Sequence, residues 1–189
     1  ASLDYLPCGF GRLPSDSALA RRTLDLLCAF AAPVTALVHQ PEASGTFVSA
    51  ALSRGIPAMA TELGGGGGVS RATVQIARDG IARVLAHLGM TEPANGPPGT
   101  RLMLVEGAHF LRAPGSGLFD PAFDLGGDVA AGDLAGHLWQ MQRADLPPEP
   151  LAFAAPGTVI CRRARALCAP GDVLCHLARD ITREALLSL

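Results

Sequence analysis

The sequence predicts an α/β layer followed by a small all-β domain. Three observations carry this reading. Up to about residue 90, short apolar runs alternate with segments of helical period. A stretch rich in proline and glycine then interrupts the chain, and only short apolar runs separated by turns follow it. With 189 residues, 49% of them hydrophobic, the chain can bury a core of domain size.

In chain order, Ser15 to Ala31 reads as a helix. Ser15 or Ser17 can cap it, while Leu19, Leu24, Leu26, Leu27 and Phe30 gather on a broad face and Pro33 ends it. Val34 to His39 is short and apolar, as a buried strand requires. Thr46 to Arg54 reads as a helix stopped by Gly55, with Ile56 to Leu63 as the next strand. Strand, short helix and strand imply a right-handed crossover, hence neighbouring parallel strands. Glu62 then stands at the carboxyl end of a parallel strand, where open α/β sheets place ligands and catalytic groups. From Ser70, the positions of Val74, Ala77, Ile81, Val84, Leu85 and Leu88 mark an amphipathic helix that Gly89 ends.

Thr91 to Thr100, TEPANGPPGT, has the composition of a linker. The expected division is therefore an α/β part over 1–92, a linker over 93–100 and a β-domain with a short C-terminal helix over 101–189. The β-domain carries an internal echo. APGSGLF at Ala113 is answered by APGTVI at Ala155, and AGDLAGHL at Ala131 by APGDVLCHL at Ala169. The simplest reading is two copies of one β-unit, each with a Gly-Asp turn before a strand, packed face to face as a barrel or sandwich. His137 and His176 are equivalent in the echo, and the repeat accounts for them without a metal.

Composition excludes several classes of partner. The net charge is -2 and all fifteen basic residues are arginine, so nothing marks a surface for nucleic acid. No run of about 18 apolar residues suggests a membrane span and no secretion signal is visible, which makes the cytoplasm the expected location. The five cysteines are odd in number and form no Cys-x-x-Cys pair, so reduced, unrelated thiols are expected.

The candidate chemistry centres on ATELGGGGGVSR, residues 60 to 71. As a phosphate loop the five glycines lack a following Gly-Lys-Ser/Thr, and they match the dinucleotide pattern only approximately. His39 and Glu42 have the His-x-x-Glu spacing of a zinc pair, but Pro41 intervenes and no third ligand is evident. There is no Gly-x-Ser-x-Gly elbow and no cysteine is marked as a nucleophile. Glu62 is the best catalytic candidate; the competing reading is a strand-end carboxylate that bonds backbone donors or pairs with Arg71.

Thr61-Glu62-Leu63-Gly64-Gly65, the opening SLDYLPC, RGIPAMATELGGGG and the β-half segment HFLRAPGSGLFDPAFDLGGDVAAGDLAGHL together resemble the succinylglutamate desuccinylase and aspartoacylase family of zinc carboxypeptidase-like hydrolases. Within it, the chain looks like the branch that includes N-acetyl-diaminobutyrate deacetylase. The resemblance implies part of a carboxypeptidase-like mixed sheet with helices, followed by the β-domain. It also implies a zinc-dependent amidohydrolase that removes an acyl group from a small N-acyl amino acid, with Glu62 as the general base. The family's zinc (Zn) ligands, an early His-x-x-Glu pair and a later histidine, match no position here, and His39 and Glu42 lie downstream of theirs. The chain therefore resembles the C-terminal portion of such an enzyme and is expected to be inactive alone. A truncated sheet edge would favour a homo-oligomer or a complementing N-terminal segment. Two other readings stand beside this one: a noncatalytic module that binds a small molecule or protein, and a nucleotide-binding protein using the glycine run.

Overall fold

The computed structural model describes residues 3–38, 45–92, 99–143 and 145–189. In chain order its elements are β1 (Leu3–Tyr5), β2 (Cys8–Gly11), α1 (Ser17–Phe30), β3 (Val34–Val38), α2 (Phe47–Leu52), β4 (Ala60–Glu62) and α3 (Arg71–His87). There follow β5 (Arg101–Val105), a 3-10 turn at Gly107–His109, β6 (Phe110–Arg112), β7 (Gly117–Pro121), β8 (Asp128–Val129) and β9 (Leu134–Trp139). The last elements are β10 (Glu149–Ala152), β11 (Gly157–Arg163), β12 (Leu167–Cys168), β13 (Val173–Asp180) and α4 (Arg183–Leu186). The chain divides into two compact units, each assembled from separated stretches. One comprises Pro7–Gly64, Val69–Leu104 and Asp180–Leu189; the other comprises Ala1–Leu6, Gly65–Gly68 and Val105–Arg179. The linker expected at 93–100 falls largely outside the described residues.

The α/β unit is built on strands in the order β5, β3, β2, β4. Here the structure corrects the expected crossover. β3 and β4 are not neighbours: β2 lies between them, parallel to β3 and antiparallel to β4. The reason lies in Cys8–Gly11, a strand whose two glycines hide it from any apolar pattern. A Cβ on Gly9 or Gly11 would come within 3.2 or 3.3 Å of a Leu27 methyl, so the missing side chains let α1 settle directly on the strand. Around this contact Leu24, Leu27, Leu37, Leu104 and Leu186 form the core, flanked by Met59, Leu102 and Ile181.

The helices begin where short polar side chains occupy their unpaired amides. For α1 the cap is Asp16, between the two serines expected: its Oδ1 accepts from Leu19 N–H at 2.6 Å. α2 and α3 each start with a reciprocal capping box, Thr46 with Ser49 and Ser70 with Thr73. α3 packs on α1 through Gly80, where a Cβ would lie 2.4 Å from the Phe30 ring. Arg83 reaches across from the same face to donate to the Phe30 and Ala31 carbonyls at the end of α1. The final helix is tied to this unit by Arg183, which pairs with Asp25 of α1.

The β unit holds β1, β11 and β13 side by side, with β6 on β13 and β8 on β11, and a separate sheet in the order β10, β9, β7, β12. Every pairing within it is antiparallel. The echo in the sequence is realised as two hairpin-like units, β7 with β9 and β11 with β13. Each return strand follows a Gly-Asp turn with the glycine at positive φ, Gly132 at 88° and Gly171 at 83°. In each turn the aspartate accepts from the amide three residues earlier: Ala130 N–H to Asp133 and Ala169 N–H to Asp172.

The two copies exchange their turns. Gly132 N–H donates to the Phe153 carbonyl and Phe153 N–H to that of Asp133, while Gly171 N–H donates to the Ala113 carbonyl and Ala113 N–H to that of Asp172. Each turn is thus held by the strand approach of the other copy. Two apolar clusters fill the unit, one around Phe119, Leu138 and Leu174, the other around Phe153, Val159 and Leu177; Leu111 and Phe123 border both.

Candidate active site at the end of the fourth strand

Glu62 is the last residue of β4, the edge strand of its sheet. It lies opposite Cys8, which in turn lies opposite Val34. Because β4 runs against β2 and β3, the carboxyl end of β4 coincides with the amino ends of those two strands. The expectation that Glu62 stands at the carboxyl end of a parallel strand is therefore corrected.

The side chain is half-buried, and burial raises its carboxyl pKa above the ordinary glutamate value. Among the described residues its carboxylate has no hydrogen-bond or ion-pair partner, Arg71 included. Among the described residues no donor braces this carboxylate, and it is held partly desolvated. That combination suits a group that must gain and lose a proton.

The glycines after Glu62 are demanded by conformation and space. Gly64, Gly66 and Gly67 have φ of 100°, 63° and 86°. Gly65 is extreme in space: an added Cβ would lie 2.1 Å from the Leu3 carbonyl oxygen and 2.5 Å from Asp4 Cα. Gly66 N–H donates to that Leu3 oxygen at 3.1 Å and Gly68 N–H to the Gly65 oxygen at 3.1 Å, so two amides of a would-be phosphate cradle are already engaged. The run is a close-packed crossing, which weighs against the nucleotide reading.

The remaining candidates do not join Glu62. His39 and Glu42 lie outside the described residues. His109 is buried in its 3-10 turn, where Nδ1 accepts from Glu106 N–H at 2.9 Å and burial lowers its pKa. His137 pairs across strands with Asp120 and Pro150. His176 is buried in a cross-strand row, Tyr5, Cys161, His176 and Phe110, and burial together with Arg112 depresses its pKa to about 4. That row was not legible in the sequence, since it depends on the registers of four strands. None of the five cysteines is in a disulfide.

A zinc site needs three or four convergent nitrogen, sulfur or carboxylate ligands. Among the described residues no three His, Cys, Asp or Glu side chains are so grouped. The described residues alone therefore do not fit a zinc ion. Nor, among them, is any helix long and apolar enough to cross a membrane.

Residues 1–88 match the model of the succinylglutamate desuccinylase/aspartoacylase catalytic domain. Over these residues the chain is similar to the succinylglutamate desuccinylase/aspartoacylase family. It is 27% identical over 165 residues to the N-alpha-acetyl-L-2,4-diaminobutyric acid deacetylase of Halomonas elongata, an overlap of 86% of this chain and 48% of that protein. Among solved structures it is similar to a succinylglutamate desuccinylase/aspartoacylase from Rhodobacter sphaeroides, with a TM-score of 0.85 and 31% identity over 96% of this chain and 56% of that one. It is similar as well to the product-bound ectoine utilization protein EutE (DoeB) of Ruegeria pomeroyi, with a TM-score of 0.87 and 29% identity over 94% and 54% of the two chains. The chain thus spans about half the length of the relatives it matches. Its mixed α/β fold with an additional antiparallel sheet is that of the family.

Proposed function

We propose that the protein containing this chain is an amidohydrolase that removes the acyl group from a small N-acyl amino acid, and that Glu62 handles the proton in that reaction. The observation that carries the reading is the state of Glu62 in a chain similar to this family: half-buried, raised in pKa and without a partner among the described residues. The deacetylase named above acts, by its name, on an N-acetylated diamino acid, which suggests the substrate class.

In this scheme Glu62 accepts a proton from water as the water oxygen bonds to the amide carbonyl carbon. The same carboxyl then gives that proton to the amide nitrogen and the C–N bond breaks; the amine departs, and the carboxylic acid formed cedes its own proton to the amine or to solvent. One group serves as base and then acid, and burial raises its pKa, which makes it the better proton acceptor. The resemblance also implies zinc, but the described residues do not form its site and no step is derived through it.

The test is hydrolysis of N-acetyl and N-succinyl amino acids by the protein as its gene encodes it, with Glu62 and with Gln in its place. Loss of about 10²- to 10⁴-fold in turnover is expected for the variant; turnover near that of the parent would overturn the assignment.

A further inference from the structure

β4 is poorly suited to hold Glu62 by itself. It has three residues, pairs only with β2 among the described strands, and ends at Glu62. The last residue of a short edge strand opens at little cost. Beyond it, only Leu63 and Gly64 separate Glu62 from Gly65, where the Leu3 carbonyl and Asp4 Cα leave no room for a Cβ. Gly66 N–H then donates to that Leu3 oxygen at 3.1 Å. Leu3 is itself anchored, because β1 lies in register on β11 with Leu3 opposite Arg163. Cys8, opposite Glu62, is five residues on from Leu3, so the chain before β2 closes the frame. Glu62 thus stands between two fixed points, the ladder to Cys8 and the crossing at Leu3. Each intervening residue spans at most about 3.5 Å, which leaves the tether little slack.

We propose that the crossing of Gly65 over Leu3 is a positioning device: through the tether of Leu63 and Gly64 it holds the Glu62 carboxyl in its half-buried place. Gly65 and Leu3 then act on the reaction through Glu62 and touch no substrate. The contact is backbone on backbone, so no rotamer change relieves a misfit there, and a displacement passes along the chain to the strand end. An error of about 1 Å in a reacting group costs on the order of 10²-fold in rate. This inference rests on the proposed role of Glu62, but its first readout does not.

The experiment slackens the tether without adding a side chain. One glycine is inserted between Leu63 and Gly64, and a control carries one between Gly68 and Val69, beyond the crossing; a loop accepts such an addition at small cost. Far-ultraviolet spectra verify that both fold. In the whole protein, labelled with carbon-13 at the glutamate carboxyls, the Glu62 resonance is assigned by its loss in Glu62→Gln and followed against pH. Burial raises the pKa of this group, so slack should let the carboxyl reach water and return its midpoint toward the ordinary glutamate value, while the control keeps that of the parent. Hydrolysis of N-acetyl and N-succinyl amino acids is measured in parallel. The tether insertion should lower kcat about 10²-fold with KM little changed, and the control should not. Gly65→Ala, which forces the crossing apart instead, should act in the same direction. An unmoved Glu62 midpoint in the tether insertion, an equal shift in the two insertions, or a slackened protein with the kcat of the parent would each overturn the positioning role. A parent that titrates as expected but hydrolyses neither kind of substrate would overturn the proposed function, and the titration alone would then decide the role of the crossing.

Discussion

Glu62 lies directly across from Cys8 on neighbouring antiparallel strands, at the end of the sheet where β2 and β3 begin. Its carboxyl is thereby carried on a three-residue edge strand whose other side has no strand among the described residues. The strand places the group, and partial burial sets its chemistry.

That burial has a consequence for stability. A glutamate whose folded pKa is raised holds its proton more tightly when folded, so its ionisation costs stability as pH rises from the unfolded value through the folded one. Glu62→Gln should therefore match or exceed the parent in denaturant midpoint at pH 7, and the difference should vanish below the ordinary glutamate pKa, even as hydrolysis is lost. A variant less stable than the parent at pH 7 would mean that the carboxylate has a structural partner.

The glycine run offers a sharper contrast. Gly65→Ala forces a Cβ into the Leu3 backbone and should destabilise by at least about 2 kcal/mol, the scale of a strained over-packed site. Gly68→Ala, whose nearest atom is 3.8 Å away and whose φ is not positive, should change stability by no more than about 0.5 kcal/mol. Equal effects in chemical denaturation would show the run to be a plain linker.

His176 sets an acid limit. Its pKa is depressed from the ordinary histidine value to about 4, so the unfolded chain takes up this proton first, and the stability it supports is lost as pH falls from about 6.5 towards 4. His176→Phe should flatten the fall in unfolding free energy across that window by roughly 3 kcal/mol. The check is denaturation of both proteins at a series of pH values; parallel curves would mean that the buried ring does not titrate with folding.

The two Gly-Asp turns should differ in cost. Asp133→Ala removes the bond to the Ala130 amide, worth about 1 kcal/mol. Asp172→Ala removes the equivalent bond to Ala169 and also the ion pair with the mostly buried Arg163 at 2.9 Å, so a loss of about 2 kcal/mol or more is expected. Thermal or denaturant unfolding of the two single variants measures the difference directly.

Some of this architecture was legible in the order of residues. Helix limits followed from caps and stops, the Gly-Asp turns from their repeat, and Glu62 from its place between an apolar run and the glycines, because each of these is a local relationship. β2 was not legible: two of its four residues are glycine, and its reason for being a strand is Leu27, sixteen residues beyond its end. The exposed apolar row of α3, Val74 and Ile81, escaped for the opposite reason. Its apolar period is genuine, but periodicity states only that a face is apolar, and Gly80 rather than Ile81 turned out to meet α1.

By itself, then, the sequence determined the kinds of element and the turns and singled out Glu62 as a candidate, since propensity, capping and backbone freedom act within a few residues. Strand order, the direction of β4, the exchanged turns and the half-buried state of Glu62 were decided only by tertiary structure. Pairing and burial are set by which distant segments can approach closely, and that depends on the side chains missing at Gly9, Gly11, Gly65 and Gly80 as much as on those present.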